Sequence, residues 1–438
     1  MLIEALAARQ AGSLLVSRGR ELTVGHVSPR GRTSSADRPW LGPRNCVNAG
    51  PKSELDRPCR YSTGSTSAID AMKERASAPS STSATYRRLK SNHQKRRPKH
   101  MIYVGIDLHR KWSQLAALDA AGEPQLSRRI PSRPEDFFRV FGELGPEPME
   151  VAFEATFGCS WLIDLLADAG IPAHMAHPLA TKAIAAGRVK NDTVDARTLA
   201  YLLRANLLPE AWIAPVEARD ARRLVRMRAS LVRLNSRLKC QVHALLADYG
   251  VNPELTDVFG RQGRRIMAEL RLPEVSQHRL EVNLRLIDGL AQEVKAADQM
   301  LKQRFGRDAR ALRLLPIPGV GLFTSATVVA EVWDVSRFPS PRRLGSWAGL
   351  TPREHSSGEH TRRGHISKQG SRWLRWVLVE AATHALPDPQ LREVYLRVRR
   401  GSKDRDQIAR VAVAHRLLTL CYYALRDEAG CRAYPVSA

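Results

Sequence analysis

The spacing of apolar residues after Met101 predicts an alternation of short strands and helices. Residues 102–107 are an apolar run that ends in an acid, and residues 112–131 form two strands around an Ala-Ala-Gly turn. Residues 148–156 and 171–178 are two further strands, separated by the helical spacing of "CSWLIDLLADAG", which ends at Gly170. This order predicts an α/β layer with three antiparallel strands first and a last helix over 193–206.

The apolar spacing becomes purely helical from about residue 216 to residue 306. In the second half of this stretch apolar residues recur at alternating intervals of four and three, which is typical of a coiled coil. Asp298 interrupts the pattern. The predicted seam consists of Leu280, Leu284, Ile287, Ala291, Val294, Leu301 and Phe305.

The last part of the chain, from about residue 310, also favours helices. Between two apolar stretches, Pro-Gly-Val-Gly at 318–321 resembles the turn of a helix-hairpin-helix. In such a turn Gly319 and Gly321 would let backbone N–H groups approach a phosphate. The alternative is an ordinary tight turn between helices, which also favours glycine.

Charge points to a polyanionic partner. The 438 residues carry a formal net charge of +25, and nucleic acid is the first candidate partner for such a surplus of Lys and Arg. A basic protein without such a partner is the alternative. No apolar run is long enough to predict a membrane span, and six scattered cysteines without a CxxC pair suit a reducing, cytoplasmic setting.

Residues 1–100 differ from the remainder. They contain 19 basic and 7 acidic residues, so +12 of the +25 lies there, and the segment is rich in Ser, Arg, Pro and Gly. We interpret it as a disordered extension or an upstream start-site artefact, with a nucleic-acid-binding arm as the alternative. The predicted domains are then 101–212 (α/β), 213–308 (helical, coiled coil) and 309–428 (mostly helical), with a tail at 429–438.

A first helix in the middle region is strongly basic. A nucleic-acid groove is one interpretation of this helix, and a solvated charged face is the other. Its basic residues are Arg222, Arg223, Arg226, Arg228, Arg233, Arg237 and Lys239.

Four acids carry the candidate chemistry: Asp107 and Glu154 at strand ends, and Asp192 and Asp195 at a helix start. A ribonuclease-H-like sheet brings the ends of neighbouring strands together, and residues three apart share one helix face. Converging carboxylates repel each other unless a cation binds among them, and oxygen ligands favour Mg²⁺ or Mn²⁺. Two such ions could clamp the attacking and leaving oxygens of a phosphodiester. Taken singly, Asp192 could be an N-cap, Asp195 could pair with a neighbouring cation, and Asp107 could begin a turn.

A second cluster, of basic residues, surrounds two serines in a loop that contains several glycines and precedes a long helix. Ser357 or Ser356 could bind phosphate, or could act as a nucleophile whose charged transition state the nearby cations stabilise. The basic residues are Arg353, Arg362, Arg363, Lys368, Arg372 and Arg375, with His355 beside them.

Six motifs in order resemble the DEDD-type insertion-sequence transposases, a family described as bridge-RNA-guided recombinases. They are "YVGIDLH", "FEAT", "KNDTVDARTLA", "PGVG", "WAGLTPREHSSG" and "GHISKQGSRWLR", and they cover about 101–425. The resemblance implies a RuvC-like N-terminal domain, a coiled coil used in assembly and a C-terminal transposase domain. It assigns metal binding to Asp107, Glu154, Asp192 and Asp195, and covalent linkage to DNA to Ser357.

The same resemblance implies partners: DNA at the element ends and the target, a structured guide RNA, and further copies of the chain in a dimer or tetramer. It also implies a bacterial, nucleoid-associated protein. Phe157 departs from the family pattern, because many relatives have glycine directly after the threonine of "FEAT". Two rival functions stay open: a metal-only, structure-selective nuclease resembling a Holliday-junction resolvase, and an inactive nucleic-acid-binding relative.

Overall fold

The N-terminal half of the described residues folds around a six-stranded mixed sheet. A computed structural model describes residues 100–184, 191–357, 360–427, 430–431 and 434–435. The expectation for the first 99 residues lies outside them. The strands of the sheet are β1 (Ile102–Leu108), β2 (Trp112–Leu118), β3 (Pro124–Pro131), β4 (Met149–Glu154), β5 (Ala173–Ala176) and β6 (Glu210–Ala211), and their order is β3-β2-β1-β4-β5-β6.

Strands β1, β2 and β3 pair antiparallel, whereas β4 pairs parallel with both β1 and β5. The helices of this half are α1 (Pro134–Glu143), α2 (Ser160–Asp168), α3 (Pro178–Ile184) and α4 (Asp192–Arg204). One face of the sheet packs against α1 and α2 through a core that contains Phe137, Phe153 and Leu162. The other face packs against α4. The mixed α/β layer is as expected and is compatible with a ribonuclease-H-like domain.

The middle of the chain is an antiparallel pair of long helices. These are α5 (Val216–Asp248) and α7 (Glu274–Phe305), with the short helix α6 (Arg261–Glu269) between them. Two contacts fix the direction. Arg228 in the first half of α5 pairs with Asp298 near the end of α7, and Tyr249 just after α5 is hydrogen-bonded to Ser276 near the start of α7.

The predicted seam on α7 agrees in part with the buried face of the helix. Four of its residues are buried as expected: Leu280, Ile287, Leu301 and Phe305. Ala291, in contrast, is exposed, and two residues outside the predicted seam, Asn283 and Ala297, are buried. The reason is that α7 packs against α5 of the same chain, so a partner within the chain sets its buried face. A coiled coil between chains remains untested.

The C-terminal part is mostly helical, as predicted, but it also contains a β-hairpin that the sequence did not predict. Its helices are α8 (Ala309–Leu312), α9 (Leu322–Val332), α10 (Pro341–Trp347), α11 (Arg372–His384), α12 (Pro389–Arg399) and α13 (Asp406–Arg426). The hairpin consists of β7 (Pro352–Ser357) and β8 (His360–Ile366), and β9 (Gly430–Cys431) pairs with β10 (Tyr434–Pro435).

Helix α13 is the central core helix of this part. The stretch Lys403–Arg426 is long and apolar enough to cross a membrane by length and composition alone. Half of it is nevertheless buried within the protein, against α10, α11 and α12. Core helices commonly have such a composition, and this helix is weak evidence for a membrane span.

Candidate functional site

The two strand-end acids lie side by side at the C-terminal ends of the central strands β1 and β4. Asp107 is the next-to-last residue of β1 and is buried, and Glu154 ends β4. Strands β1 and β4 run parallel with Ile106 opposite Phe153, so each acid is one residue beyond that pair. Because Ile106 and Phe153 point into the core with α2, alternation turns both acids to the face that packs against α4.

A glycine lets α4 approach this face closely. A Cβ atom on Gly105 would lie 2.6 Å from the backbone nitrogen of Ala200, and closer still to the backbone oxygen of Ala196. No side chain fits there, so glycine at this position allows direct contact between the strand and the helix backbone. The contact fixes the start of α4, with Asp192 and Asp195, beside the end of β1.

The start of α4 is capped by a residue other than the two aspartates. Asn191 is the N-cap, and its side chain accepts a hydrogen bond from the backbone N–H of Thr193 at 3.2 Å. Asp192 is therefore the first helical residue, and both Asp192 and Asp195 lie in the first turn. The capping alternative for Asp192 is thus wrong, and the carboxylates lie where the helix dipole favours negative charge.

His109, which is not among the predicted site residues, lies beside the acids. Its Nε2 lies 3.1 Å from Oδ2 of Asp107 and 3.8 Å from Oδ1 of Asp192. Burial raises the pKa of Asp107 above its usual value, and the nearby carboxylates of Asp192 and Asp195 raise that pKa further, whereas His109 lowers it. A histidine two residues after a strand-terminal aspartate was the sequence signal that could have identified it.

These side chains form a donor set suited to a divalent cation. One ligand atom each from Asp107, His109 and Asp192 can lie within 4.8 Å of the others. Carboxylate oxygens suit Mg²⁺ and Mn²⁺. His109, whose Nε2 is hydrogen-bonded to Asp107, is placed to orient that carboxylate. Burial is the main cause of the raised pKa of Asp107, and repulsion from the carboxylates of Asp192 and Asp195 adds to it; a bound cation would relieve that repulsion.

The arginines of helix α5 differ in what they contact. Arg226 pairs with both carboxylate oxygens of the buried Glu331, and Arg222 donates to the backbone oxygens of Ala330 and Glu331. These two side chains tie α5 to α9. Arg233, in contrast, is exposed. Their predicted contact with nucleic acid remains a prediction.

The two glycines of the Pro-Gly-Val-Gly turn differ in how closely they are packed. Gly319 has a φ of +77°, and a Cβ there would lie 2.9 Å from the backbone nitrogen of Ala385. Gly321 is the N-cap of α9, with open space around it among the described residues. Close packing on α11 therefore accounts for Gly319, and the helix-hairpin-helix interpretation is not confirmed.

The predicted serine lies on a different element from the acids. Ser357 is the last residue of β7, where it pairs with His360 at the tip of the hairpin, which is separate from the six-stranded sheet. The side chains of residues 354–363, which include Ser356, Arg362 and Arg363, lie outside the described part. Of the other predicted cations, Arg353, Lys368 and Arg372 are exposed.

The base of this hairpin is built by close backbone contacts. Gly349 and Gly370 both have positive φ values, and a Cβ on either would overlap the opposite backbone segment. Arg375 donates to the backbone oxygens of Ala348 and Gln369, and burial lowers its pKa. Arg375 thus holds the loop together from within, unlike the exposed cations around it.

Two family models match the chain. A DEDD-type IS110 transposase model matches residues 104–251, and the model of the "Transposase IS116/IS110/IS902 family" matches residues 311–396. Together they include the acids and the hairpin.

Individual relatives agree with these matches. A "Probable family 20 transposase" of Pseudomonas aeruginosa is 28% identical over 64% of this chain and 82% of its own length. The "Transposase for insertion sequence element IS1111A" of Coxiella burnetii is 27% identical over 66% of this chain and 79% of its own. An "Insertion element IS110 uncharacterized 43.6 kDa protein" of Streptomyces coelicolor is 27% identical over 74% and 94%.

Proposed function

The chain belongs to the IS116/IS110/IS902 family of insertion-sequence transposases, and from that premise we propose that it cuts and rejoins DNA through a serine–phosphodiester intermediate. The observation that carries the proposal is the convergence of Asp107, Asp192 and His109 at the edge of the sheet. A site of this composition suits phosphoryl transfer, in which positioning and electrostatic stabilisation supply most of the catalysis.

The acids would hold Mg²⁺ or Mn²⁺. Asp107 is fixed by the buried end of β1, and Asp192 and Asp195 by the first turn of α4, with Glu154 as the fourth predicted ligand. When bound, such a cation supplies positive charge that stabilises a phosphodiester under attack. His109 would orient Asp107 through its hydrogen bond and so keep one carboxylate oxygen directed at the site.

Ser357 would be the nucleophile. Its oxygen would form a bond to the scissile phosphorus while the bond from phosphorus to the 3′-oxygen breaks. The serine proton would pass to solvent, and the leaving 3′-oxygen would take up a proton from solvent. The products are a 5′-phosphoserine and a free 3′-hydroxyl. Rejoining is the reverse attack by the 3′-hydroxyl of another strand, which needs no nucleoside triphosphate. The exposed Arg353, Lys368 and Arg372 would position the phosphate backbone.

The partners would be DNA at the element ends and the target, together with a structured RNA that selects both. The net charge of +25 supports binding to nucleic acid. The acids lie on the sheet and Ser357 on a separate hairpin, which is compatible with sites completed between copies of the chain in a dimer or tetramer. Of the cations predicted on α5, Arg233 is available for such binding.

A trapping assay tests the reaction. The full chain would be mixed with Mn²⁺ or Mg²⁺, labelled element-end DNA and RNA transcribed from the flank of the element, then denatured and run on a gel. We expect a covalent protein–DNA band that disappears in Ser357→Ala and in Asp192→Asn. Ser356→Ala is the matched control, since it removes the neighbouring hydroxyl and should keep the band.

The alternative outcomes are distinct. Cut DNA without any covalent band, unchanged in Ser357→Ala, would refute the serine intermediate and favour the metal-only nuclease. A band that persists without the RNA would refute the requirement for a guide. Binding of DNA without cutting, unaffected by Asp107→Asn, would favour the inactive relative.

A further inference from the structure

The face of the sheet that carries the acids extends beyond α4 across three strands. Asp107 on β1 pairs with Gln114 on β2, and Gln114 pairs with Arg129 on β3. Side chains of directly paired residues lie on the same face, so these three share one side of the sheet. Trp112, two residues before Gln114, lies on that side as well. Trp112 therefore lies near the acid site, at the same end of these strands.

Trp112 and Arg129 are both exposed on this face. Trp112 is 46% exposed, and the guanidinium of Arg129 lies 5.6 Å from the centre of its ring. Helix α4 packs against the same face at Gly105 and leaves Trp112 exposed. A large aromatic surface is thus left open to solvent directly beside a charged site, with a cation stacked on it.

The turn between β1 and β2 adds two cations and is held in place. Arg110 and Lys111 are exposed there, next to His109. Ser132, directly after β3, holds the backbone of this turn in place. Its hydroxyl donates to the backbone oxygen of His109 at 2.7 Å, and its backbone N–H donates to the backbone oxygen of Lys111 at 3.0 Å. The cations therefore project from a turn whose backbone is already positioned.

We propose that Trp112 and Arg129, with Arg110 and Lys111, bind unpaired nucleotides of the DNA strand beside the acids. An indole stacks on a base of any sequence, whereas the guanidinium and ammonium groups contact the phosphates on either side. This binding site rests on the proposed function for its location, because it would hold the strand that reaches Asp107. A simple cross-strand contact between Trp112 and Arg129 that stabilises the sheet edge is the competing explanation.

The test measures binding in the absence of divalent cations, so that it stands apart from cutting. The full chain in EDTA would be titrated onto two labelled DNAs of equal length, one fully duplex and one with six unpaired nucleotides. We expect Trp112→Leu to weaken binding to the unpaired DNA by between about 5-fold and about 100-fold, with duplex binding changed less than 2-fold. Trp112→Phe, which keeps an aromatic face, should restore most of the affinity.

Two neighbouring arginines on β3 distinguish the effect of this binding site from a general effect of positive charge. Arg128 precedes Arg129 on β3 but points to the opposite face, where it pairs with Glu143. Both Arg128→Ala and Arg129→Ala remove one positive charge, so an equal effect of the two would overturn the proposal. We expect Arg129→Ala alone to reduce the preference for unpaired DNA.

Two further outcomes would overturn it. Equal weakening of duplex and unpaired DNA by Trp112→Leu would mean that the variant disturbs the sheet, as the cross-strand explanation requires. A loss confined to single-stranded RNA, measured in the same titration, would assign the surface to RNA and refute the DNA site. If the trapping assay fails while this preference is found, the binding site stands without the serine mechanism.

Discussion

Replacing Gly105 by alanine should move α4 away from the sheet and impair the acid site. The added Cβ would lie 2.6 Å from the backbone nitrogen of Ala200, whereas ordinary van der Waals contact begins at 3.4 Å. That helix backbone must therefore retreat by about 0.8 Å or more, since a backbone atom cannot turn aside as a flexible side chain would. The same helix carries Asp192 and Asp195, so the displacement acts directly on two of the four acids.

Two measurements follow from this geometry. Overpacking of this kind costs about 1–3 kcal/mol, which corresponds to a fall of about 3–10 °C in the melting temperature. A displacement of about 1 Å in a catalytic group can lower a rate by roughly 100-fold. We therefore expect Gly105→Ala to melt lower in differential scanning calorimetry, to bind Mn²⁺ more weakly and to lose most DNA cutting.

Gly289→Ala is the matched control. Gly289 lies inside α7, and among the described residues no atom apart from its chain neighbours and the adjoining helix backbone lies within 4 Å of an added Cβ. Alanine is the better helix former by about 1 kcal/mol, so this variant should melt at the same temperature or higher. If Gly105→Ala melts and cuts like the wild type, the close contact between β1 and α4 does not position the acids, and the reasoning is refuted.

Three further predictions concern charged side chains. Glu331→Gln should lower the free energy of unfolding by about 1–3 kcal/mol, because Arg222 and Arg226 lose the buried carboxylate that they share, although Arg226 remains partly exposed to solvent. Denaturant titration measures this change, and an unchanged free energy of unfolding contradicts it. Burial lowers the pKa of His415 below its usual 6.5, so its contribution to stability is present above that pH and is lost as the pH falls below it. Melting temperatures at pH 7.5 and 5.5 should therefore differ less in His415→Gln than in the wild type. His109→Ala should weaken Mn²⁺ binding about 10- to 100-fold in calorimetry, because Asp107 loses its orienting partner, and unchanged affinity would exclude that role.

The sequence was most informative where local pattern alone determines structure. The strands that carry Asp107 and Glu154 at or near their ends are predicted because apolar runs with turn residues at their ends are local features. The local pattern places His109 two residues after Asp107, but its approach to Asp192, which is distant in sequence, requires the fold. The hairpin β7–β8 was missed because its residues lack the alternation that marks a strand.

The sequence does not indicate which arginines of α5 contact other parts of the fold. Arg222 and Arg226 contribute to the basic face of α5 in the sequence, yet both contact α9 more than one hundred residues away. Glu331, their shared partner, lies in an apolar stretch that gave no sign of a charged contact. Pairing across the fold can be predicted only once the packing of α5 on α9 is known.

The close approach of the acids raises the question of how the fold tolerates them before a cation binds. Two features of the chain offset their repulsion. The start of α4 presents the positive end of a helix dipole to Asp192 and Asp195, and His109 donates to Asp107 when that carboxylate is ionised. Burial raises the pKa of Asp107, and the carboxylates of Asp192 and Asp195 raise that pKa further. Because a cation and a proton compete for this carboxyl, Mn²⁺ binding should weaken as the pH falls through the range in which Asp107 takes up its proton. Calorimetry of Mn²⁺ binding over a series of pH values measures this dependence, and the same dependence in Asp107→Asn would contradict this account.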